Sequence, residues 1–394
     1  MTDRGAELFE TVVSYCDLGD HQSGTDVDHA TIEWFAAELE RRGASGVERL
    51  SYEFPRYDAR WEVTFDGEPV RSIPVFYEGY GRVVTDDPVR CSVPVGRGTL
   101  IDGLRPVAQA AISEGREAAV MATLHDPSMA RGTYNDPGKL LFAPNRWPDR
   151  PGSGLPTICV AGELGARFGE AKIRVEIDAQ LVTGTSANVL ARFGDGPDDQ
   201  RILLSTPLSG WFRVAGERGT GIAVLLAVAE EVAKEHPVLV LGTNGHELMG
   251  AGLKHYERTG PVTSKGIFHF GASVASGNSD GSTAPISRSP GVVAQGWVGA
   301  DRRDALAEAL APFGDHVRLH DRLPAKGDDP GVAGWIGEST LWAMHGRPVV
   351  SIAGGFPLHH APEDVPELAT SPALLAESYD VALQAARVLS TVTV

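Results

Sequence analysis

Apolar positions recur along this chain with two periods, and each change of period marks an element. Residues 5–17 and 26–43 follow the helical repeat. In the second segment Thr25 or Asp26 can cap, Ile32, Phe35, Ala36 and Leu39 share one face, and RRGASG closes the helix. VERLSYEF (47–54) and WEVTFDG (61–67) then alternate apolar and polar, as a half-buried antiparallel pair does. Between about 69 and 172 the pattern breaks up. PVGRGTLIDG suggests a strand and turn, PVAQAAISEG a short helix and REAAVMATL a buried strand. A long Pro- and Gly-rich stretch without periodicity follows, from Leu124 to Pro156, and a loop of that length is functional or mobile. TICVAGELGARFG returns to a strand that leads into a short helix.

From about 173 the order becomes regular. AKIRVEIDAQL and SANVLARF alternate, while RILLSTPL and PVLVLGT are continuous apolar strands with the helix GIAVLLAVAEEVAK between them. KGIFHFGASVA, GVVAQGWVG and PVVSIAGG read as further strands, DALAEALAPFG and ALLAESYDVALQAARVL as helices. This alternation predicts an α/β fold: a mixed, mostly parallel sheet covered by helices on both faces, with a small α/β module inserted at 69–172. Ligands of such sheets sit beyond the carboxyl ends of the strands. The residues to examine are therefore Pro207 to Trp211, Asn244 to Glu247, His269 to Ser273 and Gly354 to His360.

Composition narrows the partners. With 52 acidic against 35 basic residues, a net charge of −17, the chain offers no basic stripe for nucleic acid or an anionic membrane surface. The N-terminal segment has no apolar signal core, no run is long enough to span a bilayer, and Cys16, Cys91 and Cys159 are scattered without a CxxC. A cytoplasmic enzyme or binding protein with a small-molecule or short-peptide substrate is the expectation; oligomeric state is left open.

At the strand ends the segments SANVLARF, RILLSTPLSGW, GERGTGIAVLLAVAEEVA, VLVLGTNGHELMGAGLKHY and SIAGGFPLHHAPEDVPE occur in an order and spacing that resembles the zinc aminopeptidase family. That family includes bacterial leucyl aminopeptidase, aminopeptidase Y, glutamate carboxypeptidase II and glutaminyl cyclase. The resemblance covers nearly the whole chain. It implies an aminopeptidase-like domain built from 1–68 and 173–394, and a protease-associated-like insert at 69–172. It also implies two zinc ions, held by an H-x-D motif, a bridging Asp, a Glu-Glu pair, a later Asp and a C-terminal His.

Residue by residue the pattern is half kept. Pro207 stands for the first His and Ser209 for the Asp two positions on. The bridging Asp becomes Glu217, the general-base Glu becomes His246, and the ligand Glu is retained as Glu247. The later Asp has no counterpart near His269 and Gly271, while the C-terminal His is His360. The resemblance thus implies a degenerate site with one divalent metal, zinc, on Glu217, Glu247 and His360, supported from behind by Asp364. His246 is the candidate base, since histidine titrates near neutrality. His269, His359, Ser209, Trp211 and Arg218 are candidate substrate contacts or additional ligands.

The function expected is a metal-dependent, metallopeptidase-like hydrolase of an amide or peptide bond. Its rivals are a metal-free pseudo-peptidase that binds without catalysis and a non-hydrolytic, cyclase- or lyase-like enzyme in the same pocket. Bland readings stand beside these. Glu217 suits a helix N-terminus on electrostatic grounds alone, and His269 in an apolar strand suits a satisfied core histidine. Gly277 to Gly281 satisfies G-x-S-x-G, but Pro285 forbids the helix that a nucleophile elbow needs. GERGTG lacks the strand-turn-helix order of a dinucleotide site.

Overall fold

The N-terminal helices form at Asp3–Cys16 and Asp26–Arg41, and the Thr25 side chain caps the second by accepting from the backbone N–H of Asp28. Ile32, Phe35, Ala36 and Leu39 are its buried stripe, as their spacing requires. The computed structural model describes residues 3–94, 99–124, 141, 148, 152–259, 262–278, 286–325 and 334–392. Most of the Pro- and Gly-rich stretch and much of the G-x-S-x-G match lie outside those residues.

The alternating segments 47–54 and 61–67 run on as one strand, Ser45–Phe65, and the segments 171–181 and 186–193 likewise merge into Ile173–Phe193. These two long strands pair with each other antiparallel from Ser45↔Arg192 to Phe65↔Ile173. The residues between 54 and 61, PRYDAR, contain no glycine to reverse the chain, so it continues straight. The helix of this span is Thr99–Ser113, so TLIDG, expected as part of a strand and turn, forms its start and Pro106 lies inside it.

Among the described residues the main sheet has ten strands. Its centre is four parallel strands in the spatial order Val349–Gly354, Gly266–Phe270, Ile202–Pro207 and Val238–Thr243. Antiparallel strands flank it: Val292–Trp297 on one side and Ile173–Phe193 on the other. All residues of the Ile202–Pro207 and Val238–Thr243 strands are buried, as continuous apolar runs demand when helices cover both faces. From Ile202–Pro207 the chain crosses through the helix Thr220–Val232 to one neighbour and later returns to the other, Gly266–Phe270. That reversal is a topological switch point, and the crevice it opens lies beyond Pro207. Among the described residues of 69–172 a separate four-stranded sheet forms from Ser72–Pro74, Thr157–Val160, Ala119–Leu124 and Val89–Pro94. Gly81–Thr85, from the same span, pairs instead with Ile173–Phe193 of the main sheet.

The segment between the first two helices fixes the crevice wall. The Tyr15 hydroxyl donates to the Leu208 carbonyl at 2.7 Å, and the backbone of His21 exchanges hydrogen bonds with Phe212 and Gly210 at 3.0 Å each. The His21 ring is buried, stacked on Tyr15 at 3.8 Å and hydrogen-bonded to Thr31 at 2.7 Å. Burial lowers its pKa to about 3, and that of His269 to about 4. In the unfolded chain both titrate near 6.5. Below that pH the unfolded state binds protons that the folded state refuses, so this stability is present above pH 6.5 and lost as pH falls. Each histidine should remove about 1.4 kcal/mol per pH unit between about pH 6 and 4.5. Urea unfolding at pH 6.5 and 5 measures the loss, and His21→Phe should reduce the slope by one proton's worth.

Candidate active site

Four turns converge at the crevice. The first follows Pro207 and runs through Ser209 to Val214, whose φ of 46° is left-handed, before the π-turn Ala215–Gly219 opens the helix Thr220–Val232. Such a turn is over-represented at functional sites. It carries Glu217 and Arg218, both fully buried. Asp364 closes it from behind: one carboxylate oxygen accepts from the Gly216 N–H at 2.6 Å, the other from the Glu217 N–H at 3.0 Å. Burial pushes the Asp364 carboxyl well up, against the pull of those two N–H groups.

The second turn, His246–Leu248, is held between Gly245 and Met249, both left-handed, with φ of 70° and 60°. Asn188 pins its entry by accepting from Asn244 N–H at 3.1 Å and donating to the Gly252 carbonyl at 2.7 Å. The third turn places His359 and His360 after the strand Val349–Gly354. His360 has φ 61°, a conformation costly for a residue with a β-carbon and of the kind that marks binding sites. The fourth places Glu338 at the N-cap of the short helix Ser339–Ala343.

These turns make two clusters. In one, Glu217 Oε1 lies 3.4 Å from His360 Nε2 and 3.9 Å from His359 Nε2. Among the described residues, Glu217, His359 and His360 form one group whose candidate donor atoms all lie within 4.8 Å of one another. Burial raises the Glu217 carboxyl, yet the Arg218 guanidinium beside it, with the two imidazoles, wins and holds it well below the usual carboxylate range. Burial lowers His359 to about 3 in spite of Glu217, so its ring is a neutral donor. In the other cluster His246 Nδ1 meets Glu338 Oε1 at 2.9 Å. Burial alone would raise Glu338, but His246 overrides it and keeps the carboxylate ionised. The His246 side chain is 28% exposed against 4% for Glu338, so solvent reaches the histidine and scarcely its partner.

Of the residues singled out by sequence, Glu217 and His360 come together, with His359 as their companion. Glu247 is directed elsewhere: its Oε1 is 2.9 Å from Arg218 Nη2, and its Oε2 accepts from Ser209 Oγ at 2.8 Å. Ser209 Oγ in turn accepts from the backbone N–H of Gly245 at 3.0 Å, which ties the first turn to the second. His269 is buried with Nδ1 2.9 Å from Ser205 Oγ. Trp211 stacks on Phe76 at 4.5 Å and lines a cavity of about 590 Å³ with Trp61, Phe212, Arg213 and Pro362. Glu338 escaped the sequence reading altogether. It lies 92 residues from His246, and no local pattern around GESTLW marks it.

No family model matches this chain, and no curated protein does. Solved structures do. A zinc aminopeptidase from Bacillus subtilis superposes with a TM-score of 0.67 at 14% identity, over 97% of this chain and 94% of that one. A peptidase M28 precursor from Shewanella amazonensis SB2B gives 0.69 at 17% identity, over 100% and 94%. An aminopeptidase from Aneurinibacillus sp. strain AM-1 gives 0.58 at 14% identity, over 97% and 93%. The fold is that of the zinc aminopeptidases, as the strand-end segments implied. At such identities the fold is what is shared. Among the described residues no helix is long and apolar enough to cross a membrane.

Proposed function

We propose that this protein is an enzyme acting on an amide or peptide bond of a small substrate, with hydrolysis as the reaction. One observation carries the reading. At the switch point of a zinc-aminopeptidase fold, a buried carboxylate with two imidazoles lies within electrostatic reach of a histidine oriented by a second carboxylate.

The donor set suits a single divalent ion. Two imidazoles and a carboxylate are a common catalytic zinc set with a position left open. Glu217 Oε1 faces Arg218 Nη2 at 2.8 Å and His360 Nε2 at 3.4 Å, and His359 Nδ1 is buried without a hydrogen-bond partner. Glu217 and Glu247 carry two negative charges against the one on Arg218, so the cluster still attracts a cation. Glu217, His359 and His360 would hold such an ion, and it would supply Lewis acidity for an amide carbonyl and for water.

The chain's own groups account for the rest. The ionised Glu338 accepts a hydrogen bond from Nδ1–H of His246, which leaves the Nε2 lone pair to accept a proton from water and return it to the leaving nitrogen. Asp364 holds the backbone of Glu217 in place through two N–H bonds. The cavity that Trp61, Phe76, Trp211 and Phe212 line together with Asp20, Asp26, Arg71 and Arg213 offers an aromatic wall to a large side chain of the substrate. The cavity, aromatic along one wall and open to solvent, suits a small molecule or short peptide.

A second reading, a pocket that binds without metal or turnover, is favoured by the placement of Arg218 against both Glu217 and Glu247. Two measurements separate them: zinc content of protein purified without chelator, and turnover of a panel of aminoacyl-p-nitroanilides. The enzyme reading expects about one ion per chain, lost in His360→Ala, and turnover greatest for large apolar residues. Neither ion nor turnover, with zinc supplied, would leave the binding protein.

A further inference from the structure

The space between Glu217 and Glu247 holds a guanidinium. Arg218 Nη2 is 2.8 Å from Glu217 Oε1 and 2.9 Å from Glu247 Oε1, and Nε donates to the Ser209 carbonyl at 2.8 Å. The side chains of Arg218 and Glu217 are fully buried and that of Glu247 is 4% exposed. A guanidinium so placed stays charged at every accessible pH and, unlike a lysine ammonium, is planar and directional. One nitrogen shared by two carboxylates from different turns is what a bridging ion would provide, made here from a side chain.

The departures from the two-zinc pattern then become one change. Where that pattern has acids, this chain has Ser209, and Gly271 stands near the other vacant place. A carboxylate at 209 would face Glu247, which Ser209 Oγ now meets at 2.8 Å as a neutral donor. Three acids of that pattern are gone, at Ser209, at His246 and near Gly271, and a fixed positive charge stands between the two that remain.

We propose that Arg218 occupies the place of one metal ion, clamping Glu217 to Glu247 and closing Glu247 to metal. The site is thereby limited to the corner formed by Glu217, His359 and His360. The inference does not depend on whether that corner is loaded, because it concerns the carboxylate pair alone. Arg218 is a positioning residue, and Glu247 serves the clamp in place of coordination.

The test is to uncover the hidden metal site. Wild type, Arg218→Met, Arg218→Lys and the double variant Arg218→Met/Glu247→Gln are titrated with zinc alone by calorimetry, and melted with and without zinc. Arg218→Met should bind zinc about a hundredfold more tightly than wild type, and zinc should raise its melting temperature more than that of wild type. Arg218→Lys, which keeps the charge, should bind zinc as wild type does. Removing the Glu247 carboxylate from the methionine variant should return its affinity to the wild-type level. Unchanged zinc affinity in Arg218→Met would overturn the proposal. So would a methionine variant that stays unfolded with zinc present, since an ion would then fail to do what the guanidinium does. If wild type binds no zinc but Arg218→Met does so through Glu247, the clamp stands and the loaded-corner reading falls.

Discussion

Replacing Arg218 by methionine should destabilise the metal-free protein by about 3–5 kcal/mol, the range for breaking a buried ion pair from one side. The size follows from what is left behind. Glu217 and Glu247 have 0% and 4% side-chain exposure, and they would face each other with no cation between them. Such a pair relieves itself by taking up a proton. In wild type Arg218 helps hold the Glu217 pKa well below its ordinary value, so its contribution to stability is present above the unfolded carboxyl pKa and lost as pH falls. In the variant the shift reverses, and the penalty grows as pH rises through the range where the unfolded carboxyls ionise. The gap between wild type and variant should therefore be widest at neutral pH and narrow toward pH 4.5. Urea unfolding followed by tryptophan fluorescence at pH 7 and pH 4.5 measures both values. A gap equal at the two pH values would mean that the loss is one of packing, not charge. Adding Glu217→Gln to the methionine variant should recover part of the loss, because one buried charge no longer needs a partner.

The second large effect is expected on rate. If His246 moves the proton, His246→Ala should lower kcat by a factor of about 10²–10⁴ on the best anilide, with KM little changed. Glu338→Gln is the sharper test, since it keeps size and hydrogen bonding but removes the charge that fixes the histidine's tautomer. In wild type the ionised Glu338 accepts from Nδ1–H at 2.9 Å and leaves Nε2 free as base. An amide there can donate instead, and an Nδ1 that accepts puts the proton on Nε2, where it blocks the base. The Gln variant should thus fall nearly as far as His246→Ala, and the double variant little further. Additive losses would mean that the two residues act separately. Normal turnover in both single variants would remove His246 from the chemistry.

Several parts of this molecule were legible in the chain because they depend on short-range patterns. The capped helix Asp26–Arg41 shows its buried stripe at Ile32, Phe35, Ala36 and Leu39, and the parallel strands show themselves as unbroken apolar runs. The turns that carry Glu217, His246 and His360 were locatable because each begins where such a run stops. The long strands were harder. Alternation is the same in a hairpin and in one uninterrupted strand, and only the partner, found more than a hundred residues later, separates them. Charge pairing was harder still. Arg218 and Glu247 are 29 residues apart, and nothing near either predicts that one side chain will take the other.

By itself, then, the sequence determined the class of fold, the strand ends that form the crevice and the identity of most residues within it, because periodicity and turn chemistry act over a few residues. Tertiary structure alone decided the partnerships: Glu217 with His359 and His360, Glu247 with Arg218 and Ser209, His246 with Glu338. Those choices depend on distances of about 3 Å between separate turns, and on a desolvated interior where each buried charge must find its opposite.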